Sequence, residues 1–479
     1  MGKIEEIKIL YEKWSGEPAV EIKPFPLSGS NREYYRVIGR DKKAIAAYNP
    51  NRKENEAFVY LTRHFKTKGL PVPELYSAAL KNNIYLLEDL GGTTLFKLVI
   101  EEQKQNTFSP ELINIYQQVI DHLIRFQVEG HKGLDYTKCY PAIGYNLKYI
   151  KWDLNYFKYY FLKLLEIDFD ESTLEDDFEE IENFLIKSPG DFFMYRDFQS
   201  RNILINKGNP YFVDYQGGRK GPLPYDLASL LFQARANISE KVKNELLEYY
   251  LTGLEKYIHI NKEEFKDFFY GFAFIRIMQT LGAYGYRGLY ERKAHFIQSM
   301  APAIKNMVKL CRDERLILNI PYLKKLISET AKQPVFNVKK ESKDKLTIVI
   351  KSFSYKKTGI PVDFSEHGGG FVFDCRALPN PGREEKYRKF SGKDHEVIDF
   401  FKENPETEQF INHVNAVVGQ SIDNYLERGF DELSVFFGCT GGQHRSVYCA
   451  EKLAARLRQK YDVDVIVTHM EEGMWRLLK

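Results

Sequence analysis

The stretch that most constrains this chain is Tyr195-Arg196-Asp197-Phe198-Gln199-Ser200-Arg201-Asn202, followed by a segment that ends in Asp214. Short apolar runs surround it. Phe192-Phe193-Met194, Ile203-Leu204-Ile205 and Tyr211-Phe212-Val213 each read as a buried strand. Lys207-Gly208-Asn209-Pro210 is a turn that joins the last two as a hairpin. The pattern puts Asp197, Asn202 and Asp214 at strand ends, where a rigid sheet aims all three at one point. Asp and Asn at strand ends are common turn formers, so the loop alone would say little. The further acid beyond the hairpin gives the set a chemical meaning.

The spacing R-D-x-x-x-x-N with a later Asp is that of a kinase catalytic loop, with Tyr195 in place of its usual His. A phosphoryl donor such as ATP needs magnesium across its phosphates, a carboxylate for the acceptor's proton and in-line geometry. Asp197 is the candidate catalytic carboxylate, and Asn202 and Asp214 are the candidate magnesium ligands. Arg196 and Asp226 are candidate supports of the loop. Gly221-Pro222-Leu223-Pro224-Tyr225-Asp226-Leu227-Ala228 sets Asp226 at a helix start, where it serves as an N-cap or binds the loop backbone. Upstream, Ser28, Gly29, Ser30 and Asn31 form the candidate phosphate-covering loop, because small residues let backbone N–H groups approach phosphates. An ordinary turn has the same composition. Glu88 and Leu90, within Leu86-Leu87-Glu88-Asp89-Leu90, are candidates for the connector whose backbone meets adenine.

At 479 residues the chain is long enough for two or three domains. A net charge of +3 gives little electrostatic reason for an obligatory nucleic-acid partner. Cys139, Cys311, Cys375, Cys439 and Cys449 show no C-x-x-C pair, which suggests free thiols in a reducing compartment. The start, Met1-Gly2-Lys3-Ile4-Glu5-Glu6, is charged, and no apolar run approaches the ~18 residues of a membrane span. The expectation is a cytoplasmic protein without a membrane partner, its oligomeric state open.

Residues 1 to about 90 read as a small mixed lobe. Strands are expected at 33–38, 43–48 and 83–90, and a helix from about Glu54 to Lys68 that stops at Gly69. Helical periodicity dominates from Thr93 to about Ile327. It includes a helix from Asn146 to Leu165 and an acidic run, Glu166 to Glu182, expected as a solvated helix face. A polar linker is placed at 328–345. The remainder, 346–479, alternates strands at 346–353, 370–374 and 433–438 with helices at about 395–428 and 446–460, which argues for a mostly parallel sheet.

Residues 1–327, with a small lobe to about 90 and a helical lobe beyond it, form one domain, which over roughly residues 15–315 resembles the aminoglycoside phosphotransferase and choline kinase superfamily. More narrowly they look like the bacterial kinases of N-acetylmuramate and N-acetylglucosamine, which act at C1 in cell-wall sugar recycling. The segments carrying the narrower likeness are Tyr195 to Asn202, Val213 to Gln216 and Gly221 to Leu231. The resemblance implies an α+β protein-kinase-like two-lobe fold, ATP and Mg2+ as cofactors and an amino sugar as acceptor. Asp153 becomes a candidate for the sugar hydroxyls, although it also reads as a surface acid, and Arg219 or Lys220 for a substrate carboxylate. One departure stands out. The strand Ala44-Ile45-Ala46-Ala47-Tyr48 holds no lysine where kinases keep their phosphate-pairing one. Either the site is a pseudokinase, or the loop backbone and magnesium carry the phosphate charge, as the amino-sugar kinases imply.

Near the other end, Cys439-Thr440-Gly441-Gly442-Gln443-His444-Arg445-Ser446 follows a strand and opens a helix. Free N–H groups at the helix start, close-approach glycines and a guanidinium make this a phosphate cradle. Its C-x5-R-S spacing is also that of cysteine phosphatases, in which a thiolate attacks phosphorus. The segment, with Ser352-Phe353-Ser354-Tyr355-Lys356, Phe373-Asp374-Cys375-Arg376 and Leu378-Pro379-Asn380-Pro381, resembles the C-terminal domain of the RapZ family of bacterial RNase adapters. That likeness implies a smaller α/β domain that binds an amino-sugar phosphate at the cradle. RNA remains an open partner. The family's G-x-x-x-x-G-K-[ST] motif is missing, and Met474 to Lys479 lacks a strong basic tail. The leading expectation is an ATP- and magnesium-dependent amino-sugar kinase joined to a sugar-phosphate-binding regulatory domain. The alternatives are a metabolite-sensing pseudokinase adapter and a phosphatase acting through Cys439.

Overall fold

The computed structural model describes residues 2–26, 32–104, 108–333, 336, 345–363 and 370–473, without the side chains of Ala294 and His295. The loop residues Ser28, Gly29, Ser30 and Asn31 lie outside the described residues. The chain divides into two compact units, Met1–Arg287 with Ser299–Phe336, and Gly288–Gln298 with Asn337–Lys479.

In the first unit, runs rich in aromatic and small apolar residues form β1 (Glu21–Pro24), β2 (Glu33–Ile38), β3 (Lys43–Tyr48), β4 (Leu75–Ala79) and β5 (Ile84–Leu87). They make a five-stranded antiparallel sheet in the order β1-β2-β3-β5-β4. One face buries Val37, Ala44, Ala46 and Leu86 against Ile7, Leu10 and Tyr11 of helix α1 (Lys3–Ser15). Ile7 and Val37 are fully buried, a gain of roughly 1.5–3 kcal/mol apiece. The opposite face carries helix α2 (Arg52–Thr67), whose Phe58 stacks on Tyr85 at 4.9 Å between ring centroids. Asn51 caps α2 by accepting from the Glu54 N–H.

Beyond the sheet the unit is mostly helical. The expected single sheet around the catalytic loop is corrected. β6 (Phe192–Met194), β7 (Ile203–Asn206), β8 (Asn209–Phe212) and β9 (Arg219–Gly221) form two separate hairpin-like pairs, β6 with β9 and β7 with β8. The loop Tyr195 to Asn202 diverts the chain between β6 and β7, and β6 satisfies its backbone on β9 instead. The helix expected from Asn146 to Leu165 is α-helical only over Leu147–Phe157, then widens into a π turn, Lys158–Leu162. The acidic run becomes the helix Glu171–Leu185, and it is not wholly solvated. Asp177 and Glu182 are buried, and Asp177 accepts the Leu323 N–H at 2.6 Å.

The last helix of this unit, Pro321–Thr330, enters the stretch read as linker, of which 334–335 and 337–344 lie outside the described residues. In the second unit β10 (Thr347–Ser354), β11 (Gly370–Asp374), β12 (Glu432–Cys439) and β13 (Asp464–His469) form an all-parallel sheet ordered β11-β12-β10-β13. Ile348, Ile350, Val435 and Phe437 pack with Leu453 and Leu457 of the helix Arg445–Lys460. The helix expected at 395–428 is two, His395–Lys402 and Pro405–Arg428. Pro405 has no N–H to continue the first, but suits the first turn of the second. Among the described residues no helix is long and apolar enough to cross a membrane.

Candidate active site and phosphate cradle

The loop after β6 is held from below by one carboxylate. Asp226, in the first turn of the helix Pro224–Leu231, accepts the N–H groups of Tyr195 at 2.7 Å and Arg196 at 2.9 Å. It is therefore not an N-cap: Leu223 holds that position without a side-chain cap. Burial pushes the Asp226 carboxyl up to about 7, against the pull of those two N–H groups. Tyr195 is buried, and its hydroxyl donates to the Val213 carbonyl at 2.6 Å, which fastens the segment before Asp214 to the loop.

Arg196 has a left-handed backbone, φ 78°, as does Asp214 at 68°. Such conformations cost on the order of 1–3 kcal/mol and persist only where neighbours enforce them. For Arg196 the enforcer is Asp153, which takes two parallel hydrogen bonds from the guanidinium at 2.8 and 2.6 Å, with Tyr145 donating to it at 3.0 Å. Asp153 is thus a buried partner of the loop and not a surface acid.

The three polar residues of the motif do converge. Asn202 Nδ2 donates to the Asp197 carbonyl at 2.9 Å and to Asp214 Oδ2 at 3.3 Å. Gln216 Nε2 donates to Asp214 Oδ1 at 2.7 Å. A carboxylate and an amide carbonyl are hard oxygen donors. With nucleotide phosphates and water they fit Mg2+, which is usually held by one or two carboxylates plus substrate phosphates. Among the described residues no group of three or more His, Cys, Asp or Glu makes an all-protein metal cage.

Asp197 keeps 42% of its side chain exposed and meets Arg276 Nη2 at 3.2 Å. Burial works to raise its carboxyl, but Arg276, Arg196, Arg201 and Arg219 together outweigh that and hold it below the usual carboxylate range. Arg276 itself is anchored to Ser229 Oγ at 3.0 Å. Sequence reading missed it. The available signal was one arginine inside the apolar run Phe272-Ala273-Phe274-Ile275-Arg276-Ile277-Met278 of a buried helix.

Arg219, on β9 opposite Met194, is only 4% exposed. Its Nε donates to the Gly217 carbonyl at 3.0 Å and its guanidinium lies over the Tyr149 ring at 4.9 Å. Among the described residues no carboxylate lies within ion-pair distance of it. Lys220 instead pairs with Asp191 at 2.7 Å on the surface. In the connector, Glu88 N–H donates to the Glu74 carbonyl at 2.9 Å and Leu90 is buried. Asp89 between them is held by Arg36 at 2.8 and 3.1 Å.

In the second unit the cradle is a tied loop. The Gly442 N–H donates to Cys439 Sγ at 3.2 Å, and Ser446 Oγ lies 3.1 Å from the same sulfur. Gln443 donates to the Arg388 and Phe390 carbonyls at 2.8 and 2.7 Å, and Ser354 to the Thr440 carbonyl at 2.7 Å. His444 sits against the Tyr387 carbonyl at 3.1 Å, and burial pushes its pKa down, so the ring is neutral at physiological pH. Arg445 spends much of its guanidinium on the fold, donating to the carbonyls of Arg376 at 2.7 Å and Leu378 at 3.3 Å and to Thr440 Oγ1 at 3.3 Å. A Cβ at Gly441 would meet open space, whereas one at Gly442, φ +68°, would lie 2.4 Å from Glu471 Cγ.

Residues 21–259 match the model of the phosphotransferase enzyme family, and residues 346–472 match that of the RapZ C-terminal domain. The chain joins a phosphotransferase-family domain to a RapZ C-terminal domain. Curated relatives include nucleotide-binding proteins of Hahella chejuensis, 31% identical over 38% of this chain and 63% of the relative, and of Chromobacterium violaceum, 39% identical over 27% and 42%. The chain thus spans only part of the length of these relatives. Solved structures with a similar fold include an ethanolamine kinase of Plasmodium vivax, 14% identical over 60% of this chain and 82% of that one, TM-score 0.43. The choline kinase LicA of Streptococcus pneumoniae, 14% identical over 64% and 99%, has a TM-score of 0.42. The first unit of this chain has the kinase-like fold of the phosphotransferase family, and the second is an α/β domain.

Proposed function

We propose that the first unit transfers the γ-phosphoryl group of ATP to an amino sugar, with N-acetylmuramate or N-acetylglucosamine as acceptor and C1 as the site. The observation that carries this reading is the bridge that Asn202 makes between the Asp197 backbone carbonyl and the Asp214 carboxylate, on a loop held by Asp226 and Asp153. Asp197 orients the acceptor hydroxyl and takes its proton while the acceptor O–P bond forms and the bond to ADP breaks. Asn202 and Asp214 are the residues that would hold Mg2+, which when bound offsets the charge on the phosphates. The acceptor side favours an anion. Among the described residues Arg219 is a buried cation with no carboxylate in ion-pair distance, and with Arg276, Arg196 and Arg201 it makes a positive field around Asp197. Such a site suits a lactyl carboxylate, so N-acetylmuramate ranks ahead of N-acetylglucosamine, and cationic acceptors rank last.

For the second unit we propose that the cradle binds a sugar phosphate without hydrolysing it. Cys439 is 3% exposed, and its sulfur faces Gly442 and Ser446 rather than open space. Purified protein with ATP and Mg2+, screened against a panel of amino sugars and their phosphates, tests both parts. Transfer to no sugar at all would end the kinase reading.

A further inference from the structure

β3 has a lysine only at its first position, Lys43, and a second cation stands beside the strand. Arg32 is 3% exposed, and its Nη2 meets Glu54 Oε1 of α2 at 2.6 Å. Its Nη1 lies 3.2 Å from the Tyr34 hydroxyl and 3.5 Å from Asp214 Oδ1. The guanidinium stands over the Phe58 ring of α2 at 5.9 Å. One side chain thus links the helix of the small lobe to the candidate metal carboxylate, 182 residues further along the chain.

The sheet register explains why this cation can do what a β3 lysine does. Tyr34 pairs with Ala47, which pairs with Tyr85, and Tyr85 stacks on Phe58 of α2. Stepping back two residues along β2 keeps the same face, so Arg32 points to the side of the sheet that carries α2. On β3 itself that face holds Lys43, Ile45 and Ala47, of which Lys43, exposed at the start of the strand, lies 3.7 Å from Asp89, while Ala44 and Ala46 are in the core against α1. The wiring of a kinase phosphate site is a cation fixed by a carboxylate on the small-lobe helix and set beside the metal-binding Asp. Here the parts are Arg32, Glu54 and Asp214, with Asn49 Nδ2 donating to the second Glu54 oxygen at 2.9 Å.

We propose that Arg32 is the residue that pairs with the donor phosphates, in place of the lysine missing from Ala44–Tyr48 of β3, and that Glu54 orients it. This rests on the phosphotransfer reading above. It departs from the expectation that loop backbone and magnesium alone carry the phosphate charge. The planar fork of a guanidinium allows Nη2 to stay on Glu54 while Nη1 turns between Asp214 and a phosphate oxygen.

The test compares the full chain with Arg32→Lys, Arg32→Met and Glu54→Gln, measuring affinity for MgATP and for adenosine by calorimetry, and kcat with the best acceptor. Arg32→Met keeps a stem to pack on Phe58, and thermal unfolding checks each fold. The expected result is a loss of on the order of tenfold or more in MgATP affinity for Arg32→Met, with adenosine affinity unchanged and partial recovery in Arg32→Lys. Glu54→Gln should fall between them. Equal losses for MgATP and adenosine would mark a purely structural ion pair and overturn the inference, as would an Arg32→Met protein that binds MgATP like wild type. A wild-type protein that binds MgATP tighter than adenosine yet phosphorylates nothing would sink the kinase reading, while the affinity comparison still decides the role of Arg32.

Discussion

Arg196 and Asp153 face each other through two parallel hydrogen bonds of 2.6 and 2.8 Å, and both are largely buried. This pair ties the helix Leu147–Phe157 to the loop that carries Asp197, and it holds Arg196 in its left-handed conformation. Asp153, by sequence a candidate for sugar hydroxyls or a surface acid, is in the structure the buried partner of Arg196.

Asp153→Ala leaves a buried guanidinium unpaired. Breaking such a pair costs about 3–5 kcal/mol, so the variant should unfold at distinctly lower urea concentration. A variant of unchanged stability would show that the pair is dispensable.

The pH dependence of turnover follows from the arginines around Asp197. A carboxyl held below the usual range is ionised throughout neutral pH, so kcat/KM should stay flat there and fall only on strong acidification. In Arg276→Gln one of the cations that depress Asp197 is gone, and the acidic limb should move to higher pH. An unmoved limb would mean that another group sets it. Asp226 carries the opposite sign. Its folded value is raised, so its contribution to stability is fully present below about pH 4 and diminishes as pH rises toward about 7. Asp226→Asn should therefore flatten the stability profile over that window, as followed by thermal unfolding.

Arg219 is the clearest pointer to the acceptor. Arg219→Ala should raise KM for an acceptor bearing a carboxylate roughly tenfold or more, and leave KM for a neutral amino sugar and for ATP nearly unchanged. Equal changes for both acceptors would remove Arg219 from substrate recognition.

At the cradle two neighbouring glycines give an internal control. Gly441→Ala has room, whereas Gly442→Ala adds a side chain at positive φ and 2.4 Å from Glu471 Cγ. Gly442→Ala should weaken sugar-phosphate binding severely and lower the melting temperature, while Gly441→Ala should fold as wild type. Cys439→Ser should keep binding within a few-fold. A phosphatase activity abolished by Cys439→Ser would reverse the binding-only reading.

The sequence made the strands β2, β3 and β7 to β9 of the first unit unevenly legible. Period-two runs marked 33–38 and 43–48, and the turn at Lys207 to Pro210 marked the β7–β8 hairpin. β9 was invisible, because Arg219–Gly221, unlike the equally short β6, offers no apolar run to read. The motif residues Asp197, Asn202 and Asp214 could be named in advance because their chemistry fixes their spacing along one loop. Arg276 and Glu54 could not, since they reach the site from helices 79 and 160 residues away from Asp197 and Asp214 respectively, across the tertiary fold. Arg32 lay in plain sight at the end of Leu27 to Arg32. Its role depended on which face of the sheet it occupies, which is set by pairing with β3.

Phosphoryl transfer through Asp197 can be measured directly. Purified protein is incubated with Mg2+, γ-labelled ATP and N-acetylmuramate or N-acetylglucosamine, beside its Asp197→Asn variant, and label on the sugar is counted. Labelled sugar is expected from the wild type, acid-labile as a C1 phosphate is, with at least about a 100-fold loss in Asp197→Asn, in keeping with the roughly 10²–10⁴-fold typical of a positioned acid or base. Unlabelled sugar from the wild type, or full labelling by Asp197→Asn, would contradict transfer through Asp197.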